Sequence, residues 1–136
     1  MKVHNRNHIY RYVPNFLNNR QLTAAQKSDQ IVVRLRAIAP PEEDAYQREA
    51  LNNARQFAPD TAQEKNEARL NKLFAEKFDG VEGLEIDGLE GKVFDFDLFY
   101  NEAPGDIVNE VLRVIRSAEA LTAGEQKNFL PGSDGP

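Results

Sequence analysis

Strand-like and helix-like patterns are segregated along this chain, and that segregation constrains its fold more than any other feature. Ile9-Tyr10-Arg11-Tyr12-Val13 is short, aromatic and β-branched, and Pro14 ends it. Ile31–Ile38 alternates from Val33 onward: Val33, Leu35 and Ala37 share one face, and Arg34 and Arg36 share the other. Pro40-Pro41 closes this part, and the periodicity beyond it is helical. A chain ordered this way is expected to be α+β, with a small N-terminal antiparallel β hairpin or sheet packed on a mainly helical C-terminal part. Its 136 residues fit a single domain over 1–130, with the Gly- and Pro-rich 131–136 as a flexible tail.

Between the strands, Asn15, Asn18 and Asn19 favour turns, because their side chains bond nearby backbone and tolerate positive φ. Leu22 to Ser28 fits a helical turn. A helix is expected over Pro41–Gln56, with Glu42, Glu43 and Asp44 at its positive dipole end. Its thin stripe of Tyr46, Ala50 and Ala54 predicts a helix lying on the surface of the core. Pro59 breaks it. Thr61-Ala-Gln-Glu64 fits a capping box, with Asp60 as the alternative cap, for a second helix to about Phe78. Leu70, Leu73, Phe74 and Phe78 are its expected core positions.

Asp79-Gly80, Gly83, Asp87-Gly88 and Gly91 mark a loop region, with a small hairpin around Leu84-Glu-Ile86. Val93–Phe99 fits either a strand or a short helix, and its large apolar residues must pack in either case. The strongest helix begins at Pro104, a favoured first position. Ile107, Val108, Val111, Leu112, Ile115 and Ala118 form its apolar face, opposed by Asn109, Glu110, Arg113 and Arg116. Leu121-Thr-Ala-Gly-Glu125 begins a last short turn, and Leu130–Pro136 is expected to lack regular structure.

Charge divides the chain in two. The first 36 residues hold seven Lys/Arg and one acid, a net of +6; the other 100 hold ten and 21, a net of −11. The acidic total argues against general nucleic-acid binding, which depends on neutralising phosphates, while the basic block leaves a nucleic-acid-binding regulator as an alternative. Without cysteine, disulfide and thiolate chemistry are excluded. No apolar run approaches the roughly 18 residues of a membrane span. The N-terminus has no secretory h-region, so the expected compartment is the cytoplasm.

No motif carries a reaction. His4 and His8 have i, i+4 spacing but no third ligand nearby, and read as two solvent-exposed histidines. Asp79–Glu90 has the length of an EF-hand loop, yet its third position is Val81 and its sixth Leu84. Asp95, Asp97, Glu102 and Asp106 alternate with aromatics, as a solvated face does. No phosphate-binding glycine pattern or nucleophile elbow is present. The expectation is no catalytic residue, no metal and no cofactor. Tyr10, Tyr12 and Phe16, beside Arg6, Arg11 and Arg20, fit base stacking and fit a hairpin core equally well.

Two segments together carry a resemblance. One is Arg11-Tyr-Val-Pro-Asn-Phe-Leu-Asn-Asn-Arg-Gln-Leu22 followed by Ile31-Val-Val-Arg-Leu35. The other is Leu84-Glu-Ile-Asp-Gly88, the aromatic-acidic segment, Pro104-Gly-Asp-Ile-Val-Asn-Glu-Val111, and Leu121-Thr-Ala-Gly-Glu-Gln-Lys-Asn128. The arrangement resembles the small tail assembly chaperones of long-tailed phages and prophages. It covers most of the chain; Pro40–Asn66 is the least similar part, and Phe129 near the end is a departure. The resemblance implies a non-enzymatic protein of the host bacterial cytoplasm. Its partner would be the long tape-measure protein, bound during tail morphogenesis, and it would self-associate. The alternative is a structural tail or head–tail component. The candidate partner-binding residues are Tyr10, Tyr12, Phe16, Arg34, Arg36, Phe94, Phe96, Phe99, Val108 and Leu112. The competing reading is that the apolar members are simply core.

Overall fold

The computed structural model describes residues 7–22, 29–117 and 129–130. The element order is β1 (Tyr10–Tyr12), a 3-10 turn (Phe16–Gln21), β2 (Val32–Leu35), α1 (Pro40–Gln56), α2 (Pro59–Lys77), β3 (Phe78–Glu82), α3 (Phe96–Glu102), α4 (Gly105–Ser117) and β4 (Phe129–Leu130). This is the expected α+β fold. Its sheet is antiparallel throughout, in the order β3-β2-β1-β4.

Register explains which residues share the core. Tyr10 pairs with Leu35 and Leu35 with Phe78; Tyr12 pairs with Val33 and Val33 with Val81. These residues belong to one apolar cluster with Leu73, Phe74, Phe99 and the inner face of α4. On the opposite sheet face Arg11 pairs with Arg34, and Arg34 with Gly80. Two cations facing each other repel, and Arg34 is compensated by ion pairs to Glu82 and to Asp79, the latter at 4.0 Å. A Cβ on Gly80 would collide with the Arg34 guanidinium. That side-chain end could move, so the firmer reason for glycine within this strand is its φ of +138°, which other residues rarely adopt.

That arrangement corrects the expected loop at Asp79-Gly80, which is β3 instead. The irregular register between Arg34 and Leu35 absorbs Asp79 as an extra residue. No strand forms at Leu84–Ile86; both apolar residues pack against the core from an irregular loop. Gly83 opens that loop at φ +78°, and a Cβ there would strike the Gln30 carbonyl. Gly83→Ala is therefore expected to destabilise the fold by about 1–3 kcal/mol, combining left-handed strain with a backbone collision. The urea midpoint of unfolding reads this directly.

Several local expectations are also corrected. The capping box at Thr61–Glu64 does not form: α2 starts at Pro59 behind Ala58, without a side-chain cap. Proline at the first position lacks an amide donor and already has helical φ, so less capping is needed. The ambiguous Val93–Phe99 resolves into an extended lead and the helix α3, whose N-cap Asp95 accepts from the Leu98 amide at 2.8 Å. Pro104 precedes α4 rather than opening it, and its carbonyl accepts from the Val108 amide at 3.2 Å. Leu130, expected to be irregular, pairs with Arg11. His8, expected to be exposed, is buried edge-on against the Tyr10 ring at 4.5 Å. His4, Ala118, the turns expected at 23–28 and 121–125, and the tail 131–136 lie outside the described residues.

α4 is the keystone of the core. Ile107, Val108, Val111, Val114 and Ile115 are all buried. Val114 was not among the expected face residues, yet it is 1% exposed. It lies three residues beyond Val111, on the same helical stripe. The last turn is tied to the sheet layer because the Ile38 amide donates to the Ile115 carbonyl at 3.0 Å.

Candidate functional site

One carboxylate joins the sheet, the 3-10 turn and α4. Glu110 belongs to the polar side of α4 by spacing, but its side chain is half-buried. It accepts from the Tyr12 hydroxyl at 2.5 Å, the Asn15 amide at 2.9 Å and Arg20 Nη2 at 3.4 Å. Arg20 also donates through Nε to the Val13 carbonyl at 2.8 Å and through Nη2 to the Tyr12 hydroxyl at 2.7 Å. Burial, the hydrogen bond to Glu110 and that carboxylate's charge hold the Tyr12 hydroxyl far above the ordinary tyrosine range; Arg20 and Arg113 oppose this. Periodicity alone could not find this cluster, because its members are separated by 98 positions from Tyr12 to Glu110.

Four of the six aromatic candidates are core. Phe94, Phe96 and Phe99 are buried, as are Tyr12 and Val108. Phe99 stacks on Phe78 with centroids 5.0 Å apart, and Phe96 meets Phe78 edge-on at 6.0 Å. Side chains packed inside the chain offer no contact area to a partner in this state. The candidate surface therefore narrows to Tyr10, Phe16, Arg34, Arg36 and Leu112, all half-buried. Arg36 Nη2 donates to the Glu76 carbonyl at 2.9 Å. With Arg20 and Arg34 also engaged by acids, three cations of the basic block are turned onto the rest of the chain.

Asp95, Asp97, Glu102 and Asp106 are exposed, and Asp95 serves as a helix cap. Among the described residues no group of three or more His, Cys, Asp or Glu is placed to hold a metal ion. No helix among them is long and apolar enough to cross a membrane.

Among the described residues, exposed or half-buried apolar side chains gather in two places, and of these only Phe16 was among the candidates. One is a groove of about 710 Å³ between the 3-10 turn and the 83–92 loop. Phe16, Leu17, Leu22, Ile31 and Leu84 supply its apolar lining. Asn19, 4% exposed, braces the turn: its amide nitrogen donates to the Pro14 and Ile31 carbonyls at 2.9 Å each, and its oxygen accepts from the Ile31 amide at 2.7 Å. Leu17 stands 81% exposed with φ +50°.

The second is the hairpin of α1 and α2. Between Gln47 and Lys65 only Ala62 is buried, and Leu51 and Phe57 are exposed. The two helices are cross-linked by Asn53 to Asn66 at 2.8 Å and by Arg69 to Glu49 at 2.9 Å. Seventeen residues of α1 extend about 25 Å. As expected, α1 lies on the surface and buries no residue.

Ion pairs secure the base of this hairpin. Lys77 meets Glu42 at 2.8 Å, and Arg116 grips both oxygens of Glu43 at 2.7 and 2.9 Å. Burial pushes the Glu42 carboxyl up, but the Lys77 and Ala39 hydrogen bonds outweigh it, leaving the group below its ordinary value. The Arg116 hydrogen bond holds Glu43 below its ordinary value, against some desolvation. Carboxylates depressed in the fold contribute stability above their unfolded value of 4.5 and lose it as pH falls below that. Amide protection of α1 is therefore expected to fall selectively below about pH 4.5. The effect is about 1 kcal/mol or less, because the pairs are partly solvated. Hydrogen exchange across pH checks it, and Glu43→Gln should flatten the response.

Together these features define a class: an α+β domain with an apolar turn–loop groove and an exposed helical arm. No protein-family model matches the chain, and no curated protein or solved structure matches it.

Proposed function

We propose that this protein is a tail assembly chaperone of a long-tailed phage or prophage. It binds the tape-measure protein in the host cytoplasm, without catalysis, and leaves before the tail is complete. The observation that carries this reading is spatial. Parts of the two segments on which the resemblance rests share one core: Arg11–Leu22 and Ile31–Leu35 supply most of β1, the 3-10 turn and β2, and Ile107, Val108 and Val111 of α4 pack with Tyr12, Val33 and Leu35. Glu110 hydrogen-bonds Tyr12 and Asn15 across the join. The least similar segment, Pro40–Asn66, forms the arm instead, α1 and the first turns of α2. An exposed helical arm with Leu51 and Phe57 on its surface suits reversible recognition of a long apolar helix.

The test is affinity capture of the tagged full chain after prophage induction, with mass spectrometry of what co-purifies. Enrichment of one very long, helix-rich phage protein is expected, with the chaperone missing from purified particles. Recovery of the chain alone overturns the reading. Its retention in purified particles favours a structural tail component.

A further inference from the structure

We propose that the groove between the 3-10 turn and the 83–92 loop docks a basic amphipathic helix of a partner protein. Leu17 is the first reason. A leucine at φ +50° is strained, and this one is 81% exposed, so no burial within the chain offsets the strain. The Asn19 hydrogen bonds to Pro14 and Ile31 hold the turn in place and with it the displayed side chain. Behind Leu17, Phe16, Ile31 and Leu84 give a half-buried apolar floor. Val93, 92% exposed, follows Lys92 of the far wall.

Charge decides what fits. The loop carries the exposed acids Glu85, Asp87 and Glu90 against Lys92, and Asp29 stands on the opposite lip. An apolar floor under an acidic rim suits leucine-like anchors flanked by lysine or arginine and disfavours an acidic helix. The groove volume of about 710 Å³ suits a row of anchor side chains rather than a whole helix buried inside. The inference is independent of whether the partner is a tape-measure protein.

The experiment titrates the full chain, isotope-labelled, with a synthetic helical peptide of about five turns. Leucines stand at i, i+4, i+7 and i+11, with lysines on the other face; a sister peptide carries glutamate for lysine. The lysine peptide should bind, weaken with salt, and shift amide resonances of 16–22 and 83–93. The glutamate peptide should bind at least about tenfold more weakly. Leu17→Gly relieves the backbone strain while removing the anchor, so it should keep or raise the melting temperature yet weaken binding about tenfold or more. Asp29→Lys with Glu85→Lys should reverse the peptide preference. Equal binding of both peptides, unchanged binding by Leu17→Gly, or shifts confined elsewhere would overturn the proposal. A self-association abolished by Leu17→Gly would overturn it too, by making a second copy the occupant. Loss of peptide binding with capture of a long phage protein intact would sink this groove and leave the chaperone reading standing.

Discussion

Phe99→Ala is expected to destabilise the protein by about 3–5 kcal/mol and lower its melting temperature by roughly 10–20 °C. Phe99 is fully buried and stacks on Phe78, where β3 and α3 meet. Truncation removes the transfer energy of the ring and leaves a cavity that neither element can close by sliding, since Phe96 also packs on Phe78. Against a typical domain stability of about 5–15 kcal/mol, this is a large fraction. Chemical denaturation of both chains measures it, with Val93→Ala as the comparison. Val93 is 92% exposed, so its truncation should stay within about 0.5 kcal/mol. The pair also separates two roles for the aromatic segment. A contact surface would lose binding and keep stability; a core loses stability.

Glu110→Ala should cost about 2–4 kcal/mol. It removes the acceptor of the part-buried Tyr12 hydroxyl and of the exposed Asn15 amide, and the ion-pair partner of Arg20, which keeps its bonds to the Val13 carbonyl and the Tyr12 hydroxyl. Glu110→Gln keeps one acceptor oxygen and should cost less, about 1–2 kcal/mol. Tyr12→Phe combined with Glu110→Ala should fall short of the sum of the single changes, because one hydrogen bond is counted in both. There is an alkaline signature as well. Tyr12 is raised in the fold, so its contribution is complete below the unfolded value near 10.0 and is lost as pH rises beyond it. Glu110→Gln removes the carboxylate's charge and leaves burial as the principal raising cause, so ionisation should begin at lower pH. Tyrosinate absorbance and a denaturation series at alkaline pH test this together. Wild-type ionisation behaviour in the Gln variant would show that Glu110 does not govern Tyr12.

The elements with local signals were legible. The helices at 40–56 and 59–77 follow from prolines, acids and apolar spacing within a few residues of one another. So does α4, where side chains three and four apart share a face. The first two strands followed from alternation and from Pro14. β3 was not legible, because Gly80 reads locally as a turn residue, whereas in the fold it sits in a strand opposite Arg34 at φ +138°. β4 is two residues long and exists through its pairing with β1. A strand that short has no period to read, and its hydrogen bonds come from a partner more than a hundred residues away.

The candidate surface divides in the same way. Apolar character identified Phe94, Phe96, Phe99 and Val108 as residues that must be covered, but by itself it does not say whether the cover is the same chain or another. Burial against Phe78, β3 and α4 answered that for the free chain. Leu17, Glu110 and the groove were invisible, since a leucine among asparagines and a glutamate on a helix carry no long-range information. What the sequence determined alone was the α+β order, the amphipathic faces and the two-part charge. Tertiary structure decided which apolar residues stay uncovered and which charges are neutralised. Both depend on distances between residues far apart in the chain, and no local pattern encodes those distances.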